Sequence, residues 1–205
     1  MLLAGAVAAL TSACSTSATY LGSASLGFYF KVPPNWQVFG APLMKQLGLP
    51  STPGAGAAQA QGTSYFVYVS LATGNARLAH SGLTGDIPWA MGAVQDLGSQ
   101  DQANLSLQSL EDEIFNPDGI SQQGGDVTQL APPEVIVKGA FRGTRVAYEI
   151  TSSEGSVAFE QMSLTNTPTS RVWALLAGCS PSCFSRHKSV LARIIASFRV
   201  TAGGS

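Results

Sequence analysis

Apolar and polar positions alternate most clearly over residues 143–151, where Val146, Tyr148 and Ile150 fall on one face of an extended chain. Residues 152–155 (SSEG) read as a turn, residues 156–164 as the returning strand and residues 166–170 (NTPTS) as a second turn. Residues 171–178 (RVWALLAG) are almost wholly apolar, the signature of a strand covered on both faces. Upstream, the aromatic-rich residues 26–32 (LGFYFKV) predict a strand stopped by Pro33 and Pro34, and residues 63–72 (TSYFVYVSLA) predict another. The period lengthens after Pro181. Phe184, Leu191, Ile194 and Phe198 recur at helical spacing and predict a final amphipathic helix.

Two more helices are expected between Asp86 and Glu113. The first takes Asp86 as its N-cap and Pro88 in its first turn. The second carries Leu107, Leu110 and Ile114 on one face and stops at Asn116-Pro117. Residues 50–62 and 121–127 read as loops, and no internal repeat is visible. An antiparallel meander closed by a helix defines an α+β class, an antiparallel sheet flanked by helices.

The first thirteen residues (MLLAGAVAALTSA) resemble the apolar core and small-residue cleavage site of an export signal. Thr11-Ser12-Ala13-Cys14 is similar to a bacterial lipobox, with Thr11 where an aliphatic residue is usual. This predicts acylation of Cys14; simple cleavage, or a buried helix ending in an ordinary thiol, is the alternative. Residues 14–25 are then expected to be a flexible tether, 26–200 the folded domain and 201–205 a tail. The 205 residues fit one domain with such an appendage. Charged residues make up only 11%, against about 25% in ordinary soluble proteins, which excludes a charge-driven disordered chain. A net charge of −1 excludes a nucleic-acid binder that works by bulk electrostatics. The charge is uneven, however. Residues 1–134 carry 3 basic and 9 acidic side chains, and residues 135–205 carry 8 and 3. Separate faces would make the domain a dipole able to orient on an anionic membrane or partner; interleaved elements would cancel it.

The segment Phe28-Tyr29-Phe30-Lys31-Val32-Pro33-Pro34-Asn35-Trp36 resembles the opening strand and V-P-x-x-W corner of PsbP-like domains. Residues from Cys183-Phe184 to Ile194-Ile195-Ala196-Ser197-Phe198-Arg199-Val200 resemble the last helix of that family and its S-F-x-V exit. The chain is similar to actinobacterial lipoproteins of this fold, including the LpqN type. The resemblance implies an α/β/α sandwich and a non-catalytic extracytoplasmic module, lipid-anchored or secreted, whose partner is an envelope protein or lipid. It carries over no catalytic set and no cofactor.

Few residues suggest chemistry. Cys179 and Cys183 bracket Ser180-Pro181-Ser182, a spacing that permits a local disulfide in an exported protein. Free thiols are the alternative. A metal site lacks ligands, since the chain has only His80 and His187 besides three cysteines. Ser185-Arg186-His187-Lys188 matches S-x-x-K, yet the S-D-N and K-T-G partners of that motif are absent. Glu111, Asp112 and Glu113, if helical, fan over about 200° and read as a solvated face. Three readings follow. An interaction module would use Arg142, Arg145 and Arg171 on the hairpins, provided that they share a face. An apolar-ligand binder would show a cavity rather than a filled core around Tyr65, Phe66, Trp173 and Phe198. A hydrolase would need a base and an oxyanion hole beside Ser185.

Overall fold

The alternating hairpins and the apolar strand after them build the larger of two sheets in the computed structural model, which describes residues 18–24, 26–39, 63–70, 82–114, 117–122, 124–153, 155–167 and 170–201. In chain order the strands are β1 (Thr19–Ser23), β2 (Phe28–Val32), β3 (Gln37–Phe39), β4 (Thr63–Ser70) and β5 (Trp89–Asp96). They continue as β6 (Asp126–Lys138), β7 (Phe141–Ser152), β8 (Gly155–Thr165), β9 (Arg171–Cys179) and β10 (Arg199–Val200). The helices are α1 (Ser99–Asn104), α2 (Pro117–Gln122) and α3 (Pro181–Ala196). Seven strands pair antiparallel in the order β3-β4-β5-β9-β8-β7-β6, and a small sheet has the order β1-β2-β10.

Each face of the large sheet carries its own core. On one face Met162, Leu164, Trp173 and Leu175 pack with Leu191, Ile194 and Ile195 of α3 and with Phe28, Phe30 and Val32 of β2. On the other, Val146, Tyr148, Ile150, Phe159 and Leu176 pack with Trp89 and Met91, under partly buried Leu83, Ile87, Ile114 and Ile120. The chain is therefore an α+β sandwich, with a layer on each side of an antiparallel sheet. The Trp173 indole N–H donates to Leu26 O at 2.7 Å and ties the turn before β2 to the centre of the large sheet. Gly139, in the tight turn between β6 and β7, has φ 62°, a left-handed conformation that favours glycine.

Five expectations are corrected. The helix expected from Asp86 is the strand β5. Its residues from Trp89 to Gln95 are all buried between β4 and β9, so the period-two signal is erased, and a short apolar run cannot reveal its own type. Asp86 serves another helix instead: its carboxylate accepts from the hydroxyls of Ser180, the N-cap of α3, and Ser182. The helix expected over residues 107–114 is reduced to a 3-10 turn at Ser109–Glu111, in which Leu110 is fully buried against Leu97 and Val172. Pro117, read as a stop, instead opens α2, and β6 begins at Asp126 within the expected loop. Finally, part of the expected tether is strand β1, paired with β2 from Thr19↔Val32 to Ser23↔Phe28. Of its five residues Leu21 packs against the core, too little to leave a hydrophobic pattern in the sequence.

Candidate binding cleft

The two-residue turn after Ser152 fixes the register of β7 on β8, with Ser152 opposite Gly155. Arg145 then faces Met162, and Ala147 faces Glu160, which makes Arg145 and Glu160 diagonal neighbours on the face beneath α3. Arg145 Nε donates to Glu160 Oε1, and its Nη1 lies 3.6 Å from Glu134 Oε2 on β6. The Glu160 side chain is only 9% exposed and the Glu134 side chain 61%. The inner carboxylate thus depends on the guanidinium for compensation, whereas the outer one is solvated.

This ion cluster forms one wall of a surface cleft of about 550 Å³ between β6–β8 and the first half of α3. Leu130, Pro132 and Phe184 supply apolar lining, Glu149 adds a third carboxylate, and Ser185 and Lys188 lie on the helix side. The Ser185 hydroxyl donates to Pro181 O at 3.1 Å, and among the described residues no carboxylate or imidazole is hydrogen-bonded to it. Among the described residues, no hydrogen-bonded base is present to activate it as a nucleophile.

The arginines do not share a face. Alternation puts Arg142 on the side of the sheet opposite Arg145, where it is exposed. Arg171 lies at the far end of β9, where its Nε donates to Asp96 Oδ1. The discriminator for a three-arginine surface fails, and only Arg145 belongs to the cleft. Trp173 and Phe198 are 3% and 0% exposed within the main core, so that region is filled rather than hollow. The side chains of Tyr65 and Phe66 lie outside the described residues, as do Cys14 and the lipobox-like residues.

The Cys179 and Cys183 sulfurs stand at disulfide distance, with Cα atoms 5.8 Å apart. Both residues are fully buried in the main core. The acidic run departs from expectation. Glu111 lies in the 3-10 turn, and Glu111 and Glu113 are half-buried rather than spread over a solvated face. Burial raises the pKa of both carboxyls. Asp112 adds to the effect at Glu111, and Asp101 and Asp112 add to it at Glu113. Gln95 Nε2 donates to Glu113 Oε2 at 3.2 Å and partly opposes the rise. No group of three or more metal-ligating side chains occurs among the described residues, and none of their helices is long and apolar enough to cross a membrane.

No protein-family model matches the sequence, and no curated protein matches it either. Solved structures do. The solution structure of cyanobacterial PsbP (CyanoP) from Synechocystis sp. PCC 6803 superposes with a TM-score of 0.58 at 11% identity, over 96% of this chain and 98% of that one. The fold is PsbP-like. LpqN of Mycobacterium tuberculosis, described as involved in cell envelope biogenesis, matches with a TM-score of 0.50 at 12% identity, over 90% of this chain and 91% of that one. The Ran-binding protein Mog1p of Saccharomyces cerevisiae matches at 0.50 and 8%, over 91% and 96%. Identities this low carry the fold alone. Within this PsbP-like domain, Glu134, Glu149 and Glu160 are the charged cleft residues that sequence reasoning missed. A usable signal existed for Glu160. A strict two-residue turn at SSEG pairs residues that sum to a constant, which brings the lone carboxylate of an apolar strand diagonally beside Arg145.

Proposed function

We propose that the chain is a non-catalytic accessory module of the cell envelope that holds a partner in the α3–β6–β8 cleft. One observation carries the reading: the arginine and the serine hydroxyl of the cleft are already committed to carboxylates and to backbone, an arrangement suited to recognition. Arg145 is held by two carboxylates, and the Ser185 hydroxyl is spent on a backbone carbonyl. Three carboxylates against two cations, beside Leu130, Pro132 and Phe184, suit a partner that presents a basic side chain next to an apolar one. The export-signal pattern and the lipobox-like Cys14 support a site outside the cytoplasm, with acyl chains on Cys14 as the anchor. A lipid taken up through an apolar cavity is the weaker alternative, because the core beneath α3 is filled.

Affinity capture from native membranes tests the reading with the full chain and a Leu130→Asp/Glu149→Lys variant. The expected outcome is a partner retained by the native chain and lost by the cleft variant, with both chains in the membrane fraction and Cys14→Ser released from it in a high-salt wash. Equal recovery of the same partner by the two chains contradicts the cleft; unchanged membrane retention of Cys14→Ser in high salt contradicts the anchor.

A further inference from the structure

A second surface, away from the cleft, carries a chemistry of its own. The layer built from β1, β2, β10 and the second half of α3 contains Lys31, Arg193 and Arg199 and no Asp or Glu. On the opposite side of the sheet, residues 97–122 include Asp101, Glu111, Asp112 and Glu113 and contain no Lys or Arg. The cationic end of α3 and this acidic segment thus lie on opposite sides of the sheet, while at the other end of α3 Arg186 is ion-paired with Asp86 and the cleft carboxylates lie close by. The cationic layer also bears aromatic side chains. Register pairs Tyr20 with Lys31 and Tyr29 with Arg199, so these four share the outer face of the small sheet. Tyr20 and Tyr29 are 60% and 39% exposed, with ring centroids 6.4 Å apart, and Lys31 Nζ lies 4.9 Å from the Tyr20 ring centroid.

Beside this face lies a pocket of about 620 Å³ between the Lys31–Asn35 corner and the second half of α3. Lys31 and Arg193 line it together with Pro33, Pro34, Val190 and Ile194, a pair of cations on an apolar bed. Ala18 also lines it, four residues after Cys14. A chain of that length spans at most about 14 Å, so anything that holds Cys14 at a membrane holds this pocket near the same surface.

We propose that this layer docks on an anionic membrane, with a lipid phosphate between Lys31 and Arg193 and the Tyr20–Tyr29 face at the headgroup level. Amphipathic tyrosines suit the boundary between headgroups and acyl chains, and basic side chains gain from the negative surface potential. The acidic layer, repelled by that surface, points the opposite way and fixes the orientation. The inference uses the lipoprotein reading only to bring the pocket near the bilayer, and its test removes that dependence.

The full 205-residue chain carrying Cys14→Ser, which cannot be acylated, is mixed with vesicles of phosphatidylglycerol and phosphatidylcholine or of phosphatidylcholine alone, and flotation gives its partition. It is expected to float with the anionic vesicles at low salt, to leave them at about 0.5 M salt, where charges are screened within a few ångström, and to ignore the neutral ones. Adding Lys31→Gln/Arg193→Gln should lower the partition by tenfold or more. Adding Ser99→Glu/Gln100→Glu on α1 changes net charge equally and should alter it less than twofold. Equal flotation with neutral vesicles, no flotation with anionic ones, or equal losses in the two variants would overturn the proposal. The cleft reading is untouched by any of these results.

Discussion

Glu160 is a carboxylate set deep in β8, and its neighbour Arg145 is what makes that position tolerable. Arg145→Ala should destabilise the fold by about 2 kcal/mol in urea titration, below the usual cost of orphaning a buried charge because Arg145 keeps some contact with water. Arg145→Leu/Glu160→Leu removes both charges and should recover most of that loss; a double variant as unstable as the single one contradicts the pairing argument. Cys179 and Cys183 make a second case at this scale. Their ring is short, so its loss from the unfolded chain's constraints is worth only about 1–2 kcal/mol. Their complete burial adds something the sequence did not disclose. Cys179→Ala/Cys183→Ala should cost little beyond that figure, whereas the double serine variant should cost about 1–3 kcal/mol more, because it buries hydroxyls in an apolar core. Equal stability of the two variants contradicts the core placement, and two freely alkylatable thiols in the exported protein contradict the bridge.

The elements differ in how far their sequences betray them. β7 alternates, because one side-chain row is buried beneath the segments around Leu83 and Ile120 and the other is only half-buried beside the cleft, and β8 is legible as its return. Their turn chemistry is local, so strand limits and register can both be read from the chain. α3 is equally plain, with Ser180 and Pro181 at its start and Leu191, Ile194 and Ile195 buried along one side. β5 is opaque for a physical reason: covered on both faces, it has no polar row to set its period. The strap over residues 105–114 owes its shape to tertiary packing of Leu110 rather than to helix propensity. The same packing half-buries Glu113, so its raised pKa is a cost of folding at neutral pH. Because the folded state holds this proton more tightly, the cost is present above the folded pKa. It is relieved as pH falls toward the ordinary value near 4.5. Glu113→Gln keeps an acceptor for Gln95 and should raise the melting temperature at pH 7, with the gain vanishing below pH about 4.5. A gain that is independent of pH would point to packing instead of charge.

At the scale of the whole molecule, the sequence disclosed the quantity of charge in each part of the chain but not its geometry. The acidic residues of 97–122 and the basic residues of the second half of α3 lie in separate layers because the sheet intervenes, whereas Asp86 reaches Arg186 and Asp96 reaches Arg171. The small sheet adds Lys31 from far upstream to the basic side. The cleft was legible only in part. Arg145 was singled out, but so were Arg142 and Arg171, and nothing without the register separates the three. The α+β class, by contrast, follows from the hairpins and the last helix, and the PsbP-like sandwich agrees with it. The central claim is that the cleft beneath α3 is where this domain meets its partner. Photo-crosslinking in the native envelope tests it most directly, with a photoreactive residue replacing Leu130 at the cleft or Gln100 on the remote α1. Recognition in the cleft predicts one discrete crosslinked product from position 130 and none from position 100. The same product from both positions, or a product from position 100 alone, would contradict it.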